Sequence, residues 1–408
     1  MDTTSARLSE SSPPAILLAA THSGAGKTTA SIVLTRALRL RGLRAQPFKL
    51  GPDFIDPAYH TDAAGLPSIN LDVSMMGEEA VRRSFGRWAG EADISVIEAM
   101  GALFDGADGT EYGSAAHVAK LLGVPVVVLD VWGMTRTTVA ILNGLRAFDP
   151  ALDIAGTILN RVGSAAHAEM VVEALPEDLR RLVLGTIPHR AELAIPERHL
   201  GLLTVEENAT SGAARKEAQL DAGQELNLER LLRAAAFAGP GRVARSRGAP
   251  RRAMPPLARL AIARDRAFSF YYEENLVLLL EAGFELLPFR PTADPRLPEG
   301  ADAVYLGGGY PESFAPELEA NASLAAELRE RATVGMPLYA ECGGLLYLGR
   351  SLTGFDGRRH AMSGVLPSTS RWIAVTWRSA TSPLAPTLPP RWARSERQSA
   401  GRSSISRG

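Results

Sequence analysis

Short apolar runs alternate with amphipathic stretches along the first two hundred residues. The runs at 15–20, 93–97, 124–130, 154–160 and 183–187 carry at most one charge each, and helical periods lie between them at 28–40, 114–122 and 137–148. A strand covered on both faces reads as a continuous apolar run, so this alternation predicts an α/β domain with a parallel sheet and right-handed crossovers. The pattern fades after Gly201. Residues 239–256 then hold five arginines among Gly and Pro without apolar periodicity, the composition of an exposed linker. A second α/β pattern follows, with strands expected at 257–263, 285–288, 303–306 and 337–340 and a helix over 268–282. The division expected is a disordered lead 1–14, a first domain 15–238, the linker 239–256, a second domain 257–367 and a disordered tail 368–408. In that tail nine serines and seven arginines stand against one acidic residue, Glu396.

Composition narrows the function classes. The 408 residues exceed the size at which one core stops growing, about 250–300 residues, which agrees with two domains. With 46% hydrophobic residues and a net charge of −1, the chain is neither charge-extended nor drawn in bulk to nucleic acid. No window holds 18 uncharged apolar residues, so no membrane partner is expected and the protein reads as cytoplasmic. The single cysteine excludes a disulfide framework and leaves Cys342 as a core filler or a lone nucleophile. A homodimer is the default closed assembly.

The first strand runs into Ala20-Thr21-His22-Ser23-Gly24-Ala25-Gly26-Lys27-Thr28-Thr29 and then a helix. A Gly-rich turn between strand and helix aims free backbone N–H groups at an anion. Gly24 and Gly26 permit the turn, Lys27 neutralises phosphate, and the Thr28 hydroxyl suits Mg²⁺. The expected first glycine of the eight-residue consensus falls at Thr21, so the match is to the looser Gly-Lys-Thr form of dethiobiotin-synthetase-like P-loop proteins. Two acidic blocks follow. Lys49-Leu50-Gly51-Pro52-Asp53-Phe54-Ile55-Asp56-Pro57, closed by His60, packs two carboxylates and a lysine into a Pro-bounded loop. Glu98-Ala99-Met100-Gly101-Ala102-Leu103-Phe104-Asp105-Gly106 places Glu98 at the carboxyl end of a strand, where α/β sheets bind ligands. Carboxylates there hold the Mg²⁺ that bridges phosphates or bind the acceptor, and Lys49 stabilises developing negative charge. Taken singly, each also reads as a solvated loop residue or a helix cap.

These blocks, with Ile195-Pro196-Glu197-Arg198-His199-Leu200-Gly201-Leu202, resemble the cobyrinate a,c-diamide synthase family, which includes the hydrogenobyrinate enzyme. The resemblance runs from about Ala15 to Pro367. It implies ATP- and Mg²⁺-dependent conversion of the a and c carboxylates of a corrinoid to amides through a phosphorylated carboxylate, with nitrogen from glutamine or ammonia, in cobalamin biosynthesis. It also implies roles: Gly24, Gly26, Lys27, Thr28 and Thr29 on the ATP phosphates; Thr28, Asp53 and Glu98 on Mg²⁺; Asp56, Asp105 and Lys49 in catalysis; Asn160 and Arg161 on adenine. Pro196 to Leu202 has no chemistry evident from its spacing.

In the second domain Tyr305-Leu306-Gly307-Gly308-Gly309-Tyr310-Pro311-Glu312 precedes Tyr339-Ala340-Glu341-Cys342-Gly343-Gly344-Leu345. A thiol between strand and helix with small neighbours has the form of a nucleophile elbow, in which a helix N-terminus lowers the thiol pKa and backbone N–H groups bind an oxyanion. This half resembles a class I glutamine amidotransferase, a flavodoxin-like α/β domain, which implies Cys342 as nucleophile and Gly308, Gly309 and Gly343 around glutamine and its oxyanion. Such domains draw a general-base histidine from well downstream of the cysteine, and no histidine follows His360 here. A cut or frame-shifted gene end and an impaired glutaminase are therefore expected, with ammonia-dependent synthesis retained. Two other readings stay open: a nucleotide-binding homologue without catalysis, and a partition-type P-loop switch. The switch carries a lysine where this chain has His22 and has no need of a Cys342 domain.

Overall fold

A computed structural model describes residues 14–129, 131, 133–195, 197–198, 201–202, 212–236, 256–354 and 357–371. The predicted lead up to Pro13, the linker from 239 up to Pro255, and residues 372–408 lie outside the described residues.

The first half is built on seven strands: β1 (Ala15–Ala20), β2 (Ala45–Leu50), β3 (Ile69–Leu71), β4 (Ile94–Glu98), β5 (Val126–Leu129), β6 (Ile154–Val162) and β7 (Val183–Pro188). They form one parallel sheet in the order β3-β2-β4-β1-β5-β6-β7. Its helices are α1 (Lys27–Leu40), α2 (Asp56–Ala64), α3 (Val73–Met76), α4 (Glu78–Ala89), α5 (Ala115–Leu122), α6 (Thr137–Phe148), α7 (Ala165–Ala174) and α8 (Glu177–Arg180). Central β1 explains the apolar runs. Ala15, Leu17 and Ala19 enter one core with Phe48, Phe85 and Ile97, while Ile16, Leu18 and Ala20 enter the other with Val33, Val96 and Val127. Because strand order reverses at β1, the ends of β1, β2 and β4 open a crevice where the loops after them meet.

A two-stranded hairpin, β8 (Glu197–Arg198) and β9 (Gly201–Leu202), falls in the 195–202 run, of which residues 196, 199 and 200 lie outside the described residues. The apolar pattern does not end there. α9 (Gly212–Gly223) lies on α1, with Arg36 Nε donating to Gln219 Oε1 at 2.8 Å, and α10 (Leu228–Ala236) buries Leu228, Leu231 and Ala235 in the second core.

The second half has the parallel sheet β11-β10-β12-β13, formed by β10 (Ala258–Ala263), β11 (Phe284–Phe289), β12 (Ala303–Leu306) and β13 (Leu338–Ala340). Its helices are α11 (Glu273–Glu281), α12 (Ala315–Ala320), α13 (Ala322–Thr333) and α14 (Gly343–Leu348). The helix expected over 268–282 starts five residues late. Asp265 folds the preceding segment into a turn by accepting from the backbone N–H groups of Ala267 and Phe268, and Phe270 N is drawn to Gly308 O at 3.0 Å. A three-stranded sheet, β15-β14-β16, closes the described chain with β14 (Ser351–Thr353), β15 (Arg359–Ala361) and β16 (Thr369–Arg371). The last of these lies past residue 367, where the tail was expected to begin. Arg87 and Trp88 of α4 bind Glu281 and Glu274 of α11, which joins the two halves.

Leu17 is fully buried in the central strand, whereas Leu40 at the end of α1 is 69% exposed. Leu17→Ala is expected to cost about 3 kcal/mol in urea unfolding and Leu40→Ala less than about 0.5 kcal/mol.

Candidate functional site

The phosphate loop leaves β1 through two left-handed glycines, Gly24 (φ 78°) and Gly26 (φ 87°). Gly26 precedes α1 and no side chain caps its first N–H groups, so they face an incoming anion unpaired with any cap. Lys27 is buried and donates Nζ to His22 O at 3.1 Å, and burial holds its ammonium below the ordinary lysine range. Thr28 and Thr29 follow in the first turn of α1. Asn160, expected at adenine, donates to Ala25 O at 2.7 Å. A Cβ on Gly26 would lie 2.7 Å from the Asn160 amide and 3.2 Å from Arg161 Nε, so this pair backs the loop itself.

Beside the loop, three elements bring a cationic group and two carboxylates together. Lys49 of β2 donates to Asp56 Oδ2 at 2.5 Å and to Glu98 Oε1 at 2.6 Å. Thr28 Oγ1 donates to the same two oxygens, at 3.2 and 3.0 Å. His60 Nε2 lies 2.6 Å from Glu98 Oε2, and all of these except Thr28 are buried. The register Lys49↔Glu98 between β2 and β4 fixes the first pair. Asp56 and His60 lie four residues apart on α2, hence on one face of it.

Charge is unevenly shared. Burial alone would push the Lys49 ammonium down, and Glu98, Asp56 and Asp53 together hold it above the ordinary lysine range. Burial likewise opposes ionisation of Glu98, but Lys49 and His60 outweigh it and keep that carboxylate below its usual range. Burial, reinforced by the negative Glu98, pushes Asp56 up to about 6 against the pull of Lys49. Two carboxylates around one cation behave this way: one stays ionised and its neighbour becomes the proton acceptor of the pair.

The predicted residues are thus regrouped. Asp53, expected beside Glu98, uses Oδ1 to accept from Ile55 N and Asp56 N at 2.7 and 3.1 Å, capping the start of α2, and its Oδ2 stays 3.9 Å from Lys49. Asp56 takes the position next to Thr28 and Glu98. Asp105 is exposed, and among the described residues no hydrogen bond or ion pair joins it to the cluster. His60 was quoted but given no role by sequence; its spacing from Asp56 was the available signal. Among the described residues no group of three or more His, Cys, Asp or Glu is arranged to hold a metal alone. Thr28, Asp56 and Glu98 instead offer converging hard oxygens, the few protein ligands that Mg²⁺ takes when phosphates supply the rest.

The second candidate site lies at the end of β12 and β13. Cys342 is exposed and strained (φ 48°, ψ −117°) at the turn into α14. Its surroundings admit only glycine. A Cβ on Gly344 would lie 2.2 Å from Leu306 O, one on Gly343 2.9 Å from Gly309 O, and one on Gly309 2.1 Å from Ala267 O. Gly308 packs opposite the thiol, where an added Cβ would lie 3.3 Å from Cys342 Cβ. Glu341 accepts from Tyr305 Oη at 2.5 Å, a pairing with no signal in the spacing. His360 is held on β15 by Glu319 at 2.8 Å, and no hydrogen bond among the described residues joins it to Cys342.

Both halves match known families: residues 16–203 a CobQ/CobB/MinD/ParA nucleotide-binding domain, and residues 259–374 a CobB/CobQ-like glutamine amidotransferase domain. The cobyrinate a,c-diamide synthase of Caldanaerobacter subterraneus subsp. tengcongensis is 42% identical over 86% of this chain and 76% of its own. The chain belongs to the cobyrinate a,c-diamide synthase family. The hydrogenobyrinate a,c-diamide synthase of Stutzerimonas stutzeri is 43% identical over 88% of this chain and 80% of its own, and the cobyrinate enzyme of Syntrophotalea carbinolica 41% over 89% and 79%. Membership makes the chain an amide ligase with a nucleotide-binding and an amidotransferase half, and sets aside the partition-type switch. No helix among the described residues is long and apolar enough to cross a membrane.

Lys49→Met would leave Asp56 and Glu98 buried without their shared cation, at a cost of about 3–5 kcal/mol in urea unfolding near neutral pH. Asp56, already raised by burial, would lose the pull of Lys49 and rise further, the folded variant would take up a proton that wild type does not, and the deficit should shrink as pH falls from neutral. At Cys342 glycine relieves the positive φ, so Cys342→Gly should be roughly 1 kcal/mol more stable than Cys342→Ala by thermal unfolding.

Proposed function

We propose that the enzyme converts the a and c side-chain carboxylates of cobyrinate or hydrogenobyrinate to amides, with ATP as the activating co-substrate and ammonia, free or released from glutamine, as the nitrogen donor. The observation that carries this reading is the Lys49 ammonium held between Asp56 and Glu98 directly beside Thr28 and the N-terminus of α1. That arrangement suits a reaction in which negative charge builds on phosphoryl oxygens next to a carboxylate substrate. The sequence relationship to diamide synthases of both corrin types supports the substrate class.

The chemistry has two steps. A substrate carboxylate oxygen attacks the γ-phosphorus, the bond to the β-phosphate oxygen breaks, and ADP leaves an acyl phosphate. Ammonia then attacks the acyl carbon, loses a proton, and phosphate departs to give the amide. The N–H groups of Gly26 and the first turn of α1 bind the phosphates, and Lys27 neutralises them. Lys49 holds the transferring oxygens in line. Asp56, which ionises near neutrality, accepts the proton that ammonia gives up. Thr28 and Glu98 would hold Mg²⁺, which supplies neutralisation of phosphate charge when bound and leaves Asp56 to take the proton. Asp53 serves by capping α2 and so fixing Asp56, and Asn160 and Arg161 support the nucleotide loop. In the second half, Cys342 attacks the glutamine amide carbon, with Gly308, Gly309 and Gly343 lining the oxyanion side.

The test is amidation of cobyrinate and hydrogenobyrinate with ATP and Mg²⁺, followed by mass spectrometry, with glutamine and ammonium chloride supplied in parallel. Ammonium should yield the diamide, glutamine should yield markedly less because no histidine among the described residues is hydrogen-bonded to Cys342, and Lys49→Ala should lower kcat at least about 100-fold. Equal rates with both donors would sink the impaired-glutaminase part. Absence of amide from folded protein with either donor would favour a nucleotide-binding homologue without catalysis.

A further inference from the structure

His60 touches the charged cluster, yet the two steps of amide formation give it no task. It is 2% exposed and sits on α2 one turn after Asp56. Its Nε2 lies 2.6 Å from Glu98 Oε2, whereas Lys49 and Thr28 both donate to the other oxygen, Oε1, at 2.6 and 3.0 Å. An ionised carboxylate only accepts, so Nε2 carries the proton and donates it. Nδ1 lies 3.4 Å from Ser68 Oγ, a buried hydroxyl at the entrance to β3.

Neighbouring bonds keep the imidazole in this pose. Thr61 Oγ1 donates to Pro57 O at 2.8 Å and accepts from Ser68 N at 3.0 Å, which ties the turn before β3 to the helix that carries His60. β3 pairs with β2 and β2 with β4, so the ring is framed by the same strands that place Lys49 opposite Glu98. The effect on Glu98 is asymmetric. Oε2 is held against His60 in a buried place, and Oε1 alone meets Thr28 beside the phosphate loop. A cation arriving there finds one carboxylate oxygen rather than two. Mg²⁺ takes single carboxylate oxygens in a tight octahedron completed by water and phosphate, whereas the larger Ca²⁺ takes about six to eight oxygens and often grips a carboxylate by both of its own.

We propose that His60 is a positioning residue that makes Glu98 a one-oxygen ligand and thereby sets the phosphate site for Mg²⁺ over Ca²⁺. This role rests on the reading of the first half as an ATP site with Thr28 and Glu98 at the cation. His60 itself stays off the cation, because its Nε2 is committed to the far oxygen of Glu98. Partners that orient a metal-binding carboxylate from behind in this way change metal affinity by about 10–100-fold when they are removed.

The experiment measures ATP bound by the full chain in equilibrium dialysis, with Mg²⁺ or Ca²⁺ in saturating excess over the nucleotide, and needs no turnover. Wild-type protein should bind ATP at least about tenfold more tightly with Mg²⁺ than with Ca²⁺. His60→Gln, whose side-chain amide reaches the Nε2 position, should keep that ratio. His60→Asn, which reaches only the Nδ1 position beside Ser68, should bring it toward one. His60→Leu removes both bonds and should show the same loss if the asparagine variant does not fold. A histidine needed only for packing would lower stability to urea in these variants and leave the ratio unchanged, which overturns the proposal. Wild-type protein that binds ATP equally with either cation overturns it without any variant, and leaves the ATP reading intact. ATP bound with neither cation removes the nucleotide reading and the role of His60 together.

Discussion

A single buried ammonium organises the first site. Glu98 lies at the end of a strand covered on both faces, Asp56 opens a helix packed over the sheet, and both are removed from water. Two carboxylates so placed would repel each other and lose their hydration. Lys49, 4% exposed, lies within 2.6 Å of each and makes their burial tolerable. The demand then spreads outward. Lys49 must sit on β2 opposite Glu98, β2 must lie beside β4, and Asp53 must cap α2 so that Asp56 arrives at the correct angle. Gln46 on the same strand needs its own partners and finds Pro67 O at 2.8 Å.

The same constraint explains which parts of the fold were legible. Strands β1, β4, β5, β6 and β7 are nearly all apolar because helices cover both faces, and their positions followed from sequence to within a few residues. β2 reads Ala-Gln-Pro-Phe-Lys-Leu and gave no strand signal, although every residue in it is buried. Lys49 is there for the site rather than for the sheet, a local departure from patterning of the kind functional positions produce. β3, three residues long, is too short for any periodicity to register. Helix α11 begins later than expected because a side-chain turn at Asp265 and the Gly308 pairing claim Phe268 and Phe270 first.

Site residues were legible by type and less so by partnership. The two acidic blocks and the phosphate loop met as their spacing suggested, yet which carboxylate lies next to Thr28 depended on the course of the 51–56 loop. That course is set by the Asp53 cap and by the packing of Phe54, neither of which has a one-dimensional signature. Asp105 shared a block with Glu98 and still ended exposed, since the chain turns away after Leu103 enters the core. The Cys342 elbow was easier to read, because close backbone approach there leaves no room for a Cβ at Gly309, Gly343 or Gly344 and the composition shows it directly.

The two halves solve their chemistry by opposite physical means, and this bears on how they join. The first places charge in a dry crevice, where every interaction is strong and any new charge must displace one already bound. The second places a strained thiol at the surface among backbone groups, where geometry governs reactivity more than field. A change of charge in the first cannot act on the second through the field alone, because solvent screens the exposed thiol. The loop holding Asp53 and Asp56 is where the two halves meet: its carboxylates belong to the charged cluster, and the ring between them packs against Phe270 and Tyr272 of the amidotransferase half.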